Sequence, residues 1–154
     1  MQPTDESNES FLSPYRFLDL TDDKGFLCGQ ILADLGAEVI KIEPLRARSP
    51  QSEPGGDPSR HTGPFVKSPQ VAESEGGPFD DLTPSLFWFA YNRGKKGITL
   101  NLDTPEGQGL FKKLAATANG VIESFSPGYM DSLGLGYAAL SQFSPGIILT
   151  SITA

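Results

Sequence analysis

Apolar positions near the start of the chain first follow helical spacing. In the stretch G-Q-I-L-A-D-L-G, residues 29–36, the side chains of Ile31, Leu32 and Leu35 recur at intervals typical of a helix. Gly36 then stands where helices commonly end with a residue in the left-handed conformation, which glycine adopts most easily. The pattern predicts a helix that ends at about this glycine.

Short apolar runs flank this helix on both sides. The run E-V-I-K-I-E-P contains Val39, Ile40 and Ile42, and β-branched residues of this kind favour a parallel strand covered on both faces. Upstream, R-F-L-D-L supplies a matching short run at residues 16–20. Residues 15–43 therefore predict a strand–helix–strand unit with a right-handed crossover.

The second half of the chain repeats the alternation of strand and helix. Ile98, Leu100 and Leu102 alternate with polar residues, which predicts a strand. Thr104 is followed by a proline and a glutamate, and this order predicts the start of a helix that the threonine caps. The same patterns predict strands at residues 121–125 and 147–152 and short helical pieces at residues 129–133 and 138–143. The expected fold class is therefore α/β with a parallel sheet.

Two segments lack such patterns. Residues 1–14, rich in Ser, Asp, Glu and Asn, are expected to form a disordered tail. Residues 44–85 hold most of the 13 prolines and are expected to form an irregular, Pro/Gly-rich excursion. The aromatic run L-F-W-F-A-Y, residues 86–91, follows. It is expected to lie in the core or at a subunit interface, and the basic residues just after it keep a base-stacking role open.

Composition restricts the class of protein. The 154 residues carry a formal net charge of −7, and no basic stripe is present to displace counterions from nucleic acid or anionic lipid. No apolar run approaches the length of a membrane-spanning helix, and the acidic start does not resemble a signal peptide. The expected partners include neither nucleic acid nor a membrane, and the expected location is the cytoplasm. The single cysteine, Cys28, falls in the first helix and is expected to be a packed, unreactive thiol.

The residues give few candidates for catalysis or nucleotide binding. The turn after the first strand, T-D-D-K-G at residues 21–25, lacks the glycine pattern of dinucleotide sites and places two carboxylates where a phosphate would bind. The one histidine, His61, is expected to be a solvated loop residue, so neither a histidine triad nor a metal site is expected. Asp19 and Glu123 stand near strand ends, where a role as turn or capping acceptor is favoured over a role in a cleft. The residues alone predict a site at the carboxyl edge of the sheet without a particular chemistry.

Four stretches of the sequence resemble the N-terminal portion of the class III CoA-transferases, the CaiB/BaiF family. They are L-D-L-T with L-A-D-L-G-A-E-V-I-K-I-E-P (residues 18–21 and 32–44), G-G-D-P-S-R with G-P-F (residues 55–60 and 63–65), Y-N-R-G-K-K-G-I-T-L-N-L (residues 91–102) and V-I-E-S-F-S-P-G-Y-M-D-S-L-G-L-G-Y (residues 121–137). Their order and spacing are similar to those of the family over most of the chain.

The resemblance implies a Rossmann-like parallel sheet with flanking helices, of which residues 15–154 form the N-terminal part, in an intertwined homodimer. It also implies that coenzyme A binds, as an acyl-CoA substrate, across the carboxyl edge of the sheet, with a carboxylic acid as acceptor. In the family an aspartate attacks the acyl-CoA to give a mixed anhydride and then an aspartyl-CoA thioester, from which CoA passes to the acceptor. That aspartate follows the S-I-T strand, so the resemblance implies that this chain contains no catalytic residue.

The resemblance further assigns residues to CoA, in the first turn, after the third strand and around the V-I-E-S-F strand. They are Lys24, Gly25, Leu100, Asn101, Leu102, Asp103, Ser124 and Ser132. The cations available for its phosphates would be Arg46, Arg48, Arg60, Lys95 and Lys96. Some members of the family have lysine, asparagine and arginine at the positions of Asp103, Ser124 and Ser132.

Two functions stay open at this point. The first is the N-terminal segment of a CoA-transferase that is inactive by itself. The second is a non-catalytic module that binds CoA or serves in assembly. No metal is implied in either case.

Overall fold

The computed structural model of the chain describes residues 10–45, 56–66 and 84–153. The strands are β1 (Arg16–Leu20), β2 (Glu38–Pro44), β3 (Lys96–Leu100), β4 (Gly120–Glu123) and β5 (Ile148–Ser151). The helices are α1 (Phe26–Asp34), α2 (Leu86–Asn92), α3 (Pro105–Ala115), α4 (Tyr129–Ser132) and α5 (Tyr137–Leu140), with a 3₁₀ helix at Pro58–His61.

The five strands form one parallel sheet in the order β3-β2-β1-β4-β5. Leu18 of β1 pairs with Ile40 of β2 on one side and with Val121 of β4 on the other. The strand order therefore reverses between β1 and β4, and in open parallel sheets ligands bind beside such a point, outside the carboxyl ends of the strands. The predicted α/β fold with a parallel sheet is confirmed.

Helix α1 forms where the spacing predicts a helix, and Gly36 after it has a φ of 94°, in the left-handed region. The buried face of α1 is not the face that the apolar spacing predicts: Ile31 and Leu35 are each nearly half exposed. The helix instead turns Phe26, Gly29 and a glutamine toward the sheet. The glycine permits this close approach, since a Cβ there would lie 2.2 Å from an oxygen of a β1 carboxylate.

Helix α3 begins as its sequence predicts. The Thr104 side chain accepts a hydrogen bond from the Gly107 backbone N–H at 3.1 Å, and Pro105 takes the first helical position. Phe111 and Ala115 face inward and are fully buried. The core continues with Leu18, Val121, Leu135 and Leu140, all completely buried between the sheet and its helices.

The aromatic run of residues 86–91 forms most of α2. Its Trp88 is buried, while Leu86 and Phe89 are about half exposed, so the run contributes to the core and also leaves apolar surface uncovered. Before it, Phe65 and Ser85 form an isolated antiparallel bridge. The predicted irregular excursion is described only at residues 44–45, 56–66 and 84–85.

The predicted disordered tail lies outside the described residues up to residue 9, and residues 11–14 form a turn. In this turn the Leu12 N–H donates to the Leu35 carbonyl at 2.9 Å, which joins the start of the described chain to the end of α1. Among the described residues, no helix is long and apolar enough to cross a membrane.

Candidate functional site

A cleft of about 390 Å³ opens at the carboxyl edge of the sheet, beside the reversal of strand order. The ends of β1, β2 and β3, the loop after β4 and the start of the 3₁₀ helix surround it. It is lined by Leu20, Thr21, Asp22, Lys41, Ile42, Glu43, Pro44, Leu45, Asp57, Pro58, Leu100, Asn101, Leu102, Asp103, Ser124, Phe125 and Tyr129. The lining combines apolar side chains with charged and hydrogen-bonding ones, and the volume is in the range of small-molecule sites.

The structure brings five of the residues assigned to CoA by resemblance into this cleft. They are Leu100, Asn101, Leu102, Asp103 and Ser124. The other three are Lys24, Gly25 and Ser132, which are not among the lining residues. The exposed Ser132 hydroxyl donates to the Tyr129 carbonyl at 2.7 Å, within its own helix. A role in CoA binding stays a prediction for all eight.

Ser124 joins the first turn to the end of β4. Its hydroxyl accepts from the Asp22 backbone N–H and donates to the Asp22 carboxylate, both at 2.8 Å. The Lys24 ammonium donates to the Ser124 carbonyl at 3.3 Å and lies 3.1 Å from the Asp22 carboxylate. Burial opposes ionisation of Asp22, but the hydrogen bonds from Ser124 and Lys24 outweigh it and lower the pKa of Asp22. These hydrogen bonds hold the first turn at the edge of the cleft, and they favour the ionised form of its Asp22 carboxylate.

The turn after β3 forms the opposite rim. The Asp103 backbone N–H donates to the Asn101 side-chain oxygen at 3.0 Å, which closes the turn locally. The exposed Asp103 carboxylate accepts a hydrogen bond from the Tyr129 hydroxyl at 2.9 Å. Burial, and then this contact, raise the pKa of Tyr129. The hydroxyl therefore stays protonated and donates to Asp103.

Behind the first turn lies a buried charge network of Asp19, Lys41, Asp57 and Lys95. The Lys95 ammonium lies 2.8 Å from one Asp19 oxygen, and both side chains are almost fully buried. The Lys41 ammonium donates to the Thr21 carbonyl and lies 3.8 Å from Asp19 and 3.9 Å from Asp57. Burial lowers the pKa of Lys41 despite these carboxylates.

The network confirms that Asp19 is a turn acceptor, since one of its oxygens accepts from the Thr21 N–H at 2.9 Å and from the Thr21 hydroxyl at 2.6 Å. Glu123 has the same role, with the Phe125 N–H donating to it at 2.6 Å. The ring of Phe26 covers both lysines of the network, its centroid 4.9 Å from the Lys41 ammonium and 5.5 Å from that of Lys95.

Glu43 and Arg60 form a second ion pair at the cleft. Two nitrogens of Arg60 lie 2.6 and 2.7 Å from the two oxygens of Glu43, a bidentate geometry. The guanidinium stacks over Trp88 at 4.1 Å, and the Asp57 N–H donates to Glu43 at 3.0 Å. Burial alone would raise the pKa of Glu43, but the bonds from Arg60 and Asp57 hold it below its usual 4.5.

Replacing Glu43 with glutamine is expected to lower the free energy of unfolding by about 2 kcal/mol at neutral pH, because charge-assisted hydrogen bonds are lost. The folded pKa of Glu43 lies below its unfolded value, so this stabilisation is complete above about pH 4.5 and is lost as the pH falls through the folded pKa. Urea denaturation at pH 7 and in steps down to about pH 3.5 measures the difference. A gap between wild type and variant that stays constant with pH would contradict this account, and Glu106→Gln on the exposed start of α3 is the control.

Three of the five cations expected to meet phosphate have partners within the described residues. Arg60 pairs with Glu43, Lys95 with Asp19, and Lys96 with Glu38. Lys95 is almost fully buried in its pair, whereas the side chains of Arg60 and Lys96 stay 42% and 70% exposed, so a role with phosphate stays a prediction for these two. The other two candidates, Arg46 and Arg48, lie outside the described residues. Sequence reasoning also missed Lys41, whose place within an apolar strand was the signal that it is buried with a partner.

His61 and Cys28 are the remaining candidates for chemistry. His61 is partly buried, not solvated as expected, and its Nε2 makes no hydrogen bond with the described residues. Burial, followed by the nearby Asp19 charge, raises the pKa of the Cys28 thiol, which agrees with an unreactive thiol. Within the described ranges, no group of three or more His, Cys, Asp or Glu could hold a metal ion.

Comparisons with known proteins place these features in a family. Residues 14–154 match CoA-transferase family III. A succinyl-CoA–D-citramalate CoA-transferase from Chloroflexus aurantiacus is 39% identical over 130 residues, covering 84% of this chain and 27% of that protein. The human succinyl-CoA:glutarate CoA-transferase is 36% identical over 152 residues, covering 97% of this chain and 30% of that protein.

Solved structures agree with these relatives. The crystal structure of a CaiB/BaiF family protein from Brucella suis superimposes with a TM-score of 0.71 at 33% identity, covering 93% of this chain and 33% of that one. The chain thus spans about 30% of the length of the curated relatives that it matches. The match over nearly all its residues shows that the chain belongs to CoA-transferase family III.

Proposed function

We propose that this chain forms the N-terminal, CoA-binding part of an enzyme that moves CoA from an acyl-CoA donor to a carboxylic acid. The observation that carries the proposal is the cleft at the carboxyl edge of the sheet. Its rims hold five residues to which the family resemblance assigns CoA contacts, on two separate segments, Leu100–Asp103 and Ser124. Their convergence in one cavity is support that comes from geometry and not from sequence similarity alone.

The cleft has the chemical character for part of a CoA molecule. Leu20, Ile42 and Leu102 supply apolar walls, while Asn101 and Ser124 supply hydrogen-bonding groups at the rims. Sites for small molecules typically combine such walls with a few placed polar groups. The hydrogen bonds of Ser124 with Asp22 fix the first turn to the end of β4, and the Tyr129–Asp103 hydrogen bond joins the opposite rim to the segment after β4, which restrains the shape of the cleft.

The proposed chemistry is covalent catalysis by a carboxylate outside this chain. The nucleophilic aspartate attacks the thioester carbonyl, the CoA thiolate leaves, and a mixed anhydride forms. The thiolate then attacks the aspartyl carbonyl of the anhydride, which releases the donor acid and leaves an aspartyl-CoA thioester for the acceptor acid. The full-length protein is proposed to be a cytoplasmic homodimer, and this chain alone is proposed to lack transferase activity.

One observation favours a second function, a non-catalytic module that binds CoA or serves in assembly. Two buried carboxylates of the cleft, Glu43 and Asp57, are held by Arg60 and by Lys41, which restrains them from acting as nucleophiles. Both functions require CoA binding. Mixing the chain with acetyl-CoA or succinyl-CoA and a set of carboxylic acids tests both at once, since transfer of CoA by this chain would contradict both.

Isothermal titration of the chain with CoA is expected to show saturable binding, with much weaker binding of AMP and ADP. Ser124→Ala should weaken CoA binding about fivefold to tenfold, because it removes the two hydrogen bonds that fix the first turn. Ser141→Ala changes a partly exposed serine that does not line the cleft and should leave the affinity unchanged. Absence of saturable CoA binding would contradict the proposed function of this chain.

A further inference from the structure

The first turn, residues 21–25, is fixed at both ends by one buried carboxylate. At its start, the Oδ1 oxygen of Asp19 accepts from the Thr21 N–H at 2.9 Å and from the Thr21 hydroxyl at 2.6 Å. The other oxygen, Oδ2, lies 2.8 Å from the Lys95 ammonium, and this ammonium donates to the Phe26 carbonyl at 3.0 Å. Asp19 thus holds the start of the turn directly, and it holds the residue after the turn through Lys95.

Lys95 also joins this turn to helix α2. Its ammonium donates to the Asn92 side-chain oxygen at 3.0 Å, and the Asn92 amide donates to the Trp88 carbonyl at 3.2 Å. The three acceptors of the ammonium therefore belong to β1, to the start of α1 and to the end of α2. A lysine ammonium has three donors, so each of them has an acceptor here.

The pair of Lys95 and Asp19 lies in the interior. The Lys95 side chain is 1% exposed and that of Asp19 is 0% exposed, and the Phe26 ring covers the ammonium. Apolar side chains of similar volume often stabilise a protein as well as a buried ion pair does, so stability alone does not account for these charges. Their hydrogen bonds add direction, because they specify where the Phe26 carbonyl lies relative to β1.

We propose that Lys95 is a positioning residue, which holds the first turn in the conformation that binds CoA. The inference rests on the proposed function, since Lys24 and Gly25 of this turn are assigned to CoA by family resemblance. Without the ammonium, α1 keeps its internal hydrogen bonds, but its start is no longer held to β1 and α2. The turn then samples other conformations, and CoA has to order it on binding, which lowers the affinity.

Amide hydrogen exchange of the full 154-residue chain, followed by NMR, tests the positioning without a ligand. The Phe26 N–H donates to the Asp22 carbonyl and the Cys28 N–H to the Gly25 carbonyl, so these two amides report on opening of the turn. In Lys95→Met both amides are expected to exchange at least about tenfold faster than in wild type, after correction for the change at the amides of β4.

Leu140→Ala is the matched control for a general loss of stability. Leu140 of α5 is completely buried in a core cluster that does not include Lys95 or its partners, so the variant leaves a cavity and keeps the charge network. It should speed exchange at the turn and at β4 by the same factor. In isothermal titrations of the folded proteins, Lys95→Met should weaken CoA binding at least about fivefold, and Leu140→Ala should stay within about 1.5-fold of wild type.

Asn92→Ala covers the case in which Lys95→Met does not fold. It removes one acceptor of the ammonium and leaves the pair with Asp19 in place. A smaller acceleration, about threefold, is expected at the Phe26 and Cys28 amides. If the turn and β4 accelerate equally in whichever variant folds, the proposal is overturned.

The outcomes separate this inference from the proposed function. If CoA binds wild type and Lys95→Met equally well, the inference is overturned while the proposed function stands, even where the turn exchanges faster. If CoA does not bind wild type, the proposed function fails and the role in CoA binding fails with it. The exchange rates then still decide whether Lys95 holds the turn.

Discussion

Replacing Asp19 with asparagine is expected to lower the free energy of unfolding by about 3–5 kcal/mol. Asp19 is completely buried, and its carboxylate lies against the ammonium groups of Lys41 and Lys95. An amide of the same size keeps the hydrogen bonds with Thr21 but leaves a buried excess of positive charge. Breaking a buried ion pair on one side has a large effect because the remaining charge is neither solvated nor compensated.

Urea denaturation followed by circular dichroism measures this loss of stability. Asp34→Asn is the control, since it removes a carboxylate from an exposed pair with Arg93 and should leave the free energy of unfolding nearly unchanged. A loss below about 1 kcal/mol for Asp19→Asn would mean that the network contributes little. If Asp19→Asn does not fold, Lys95→Met gives a milder disruption, because Lys41 and Thr21 still contact Asp19.

Two glycines of α3, two positions apart, are expected to respond to alanine in opposite directions. A Cβ on Gly107 would lie 1.7 Å from the Asn101 carbonyl oxygen and 2.7 Å from its carbon. Both atoms belong to the backbone, so the helix and the rim of the cleft would have to separate. Gly107→Ala is therefore expected to destabilise the protein by about 3 kcal/mol and to weaken CoA binding.

A Cβ on Gly109 would meet no atom within 4 Å. Gly109→Ala is therefore expected to raise stability by about 0.5–1 kcal/mol, because alanine has the higher helix propensity and less freedom in the unfolded chain. Thermal denaturation of both variants beside wild type measures the two effects. Equal changes in the two variants would show that helix propensity, and not contact with Asn101, governs this segment.

Much of the fold follows from local sequence signals. The left-handed Gly36 after α1 and the Thr104 cap of α3 both stand where their sequences predict them. Such signals need only a few neighbouring residues. The buried face of α1 could not be predicted in this way. Gly29 faces the sheet because a side chain there would collide with Asp19, and a hydrophobicity pattern does not reveal such a steric limit.

The charge pairing of the site was beyond sequence reasoning. Lys95 stands in a run of basic residues that is typical of an exposed turn, yet it lies almost fully buried against Asp19. Arg60 likewise stands in a segment rich in proline and glycine, and it pairs with Glu43 of β2 after the chain folds back onto that strand. Asp19 and Lys95 lie far apart in the sequence and become neighbours only through the arrangement of the strands, which no single sequence pattern specifies.

The candidate site itself was predicted in part. The family resemblance pointed to the Leu100–Asp103 segment and to Ser124, which the structure brings to one cleft. It also pointed to Lys24, Gly25 and Ser132, which lie outside the lining. The Ser132 hydroxyl is directed to its own helix because a serine near a helix end readily bonds a carbonyl three residues earlier.

The central position of β1 also constrains the order in which the molecule folds. Its pairing with β2 joins residues that are near in the sequence, whereas its pairing with β4 joins Leu18 to Val121 across most of the chain. Closing the longer loop costs more conformational entropy and is slower. The cleft needs β2 and β3 on one side and Ser124 on the other, so it exists only after this late pairing. Half of the sheet, β1 to β3, can thus pair before the cleft is complete.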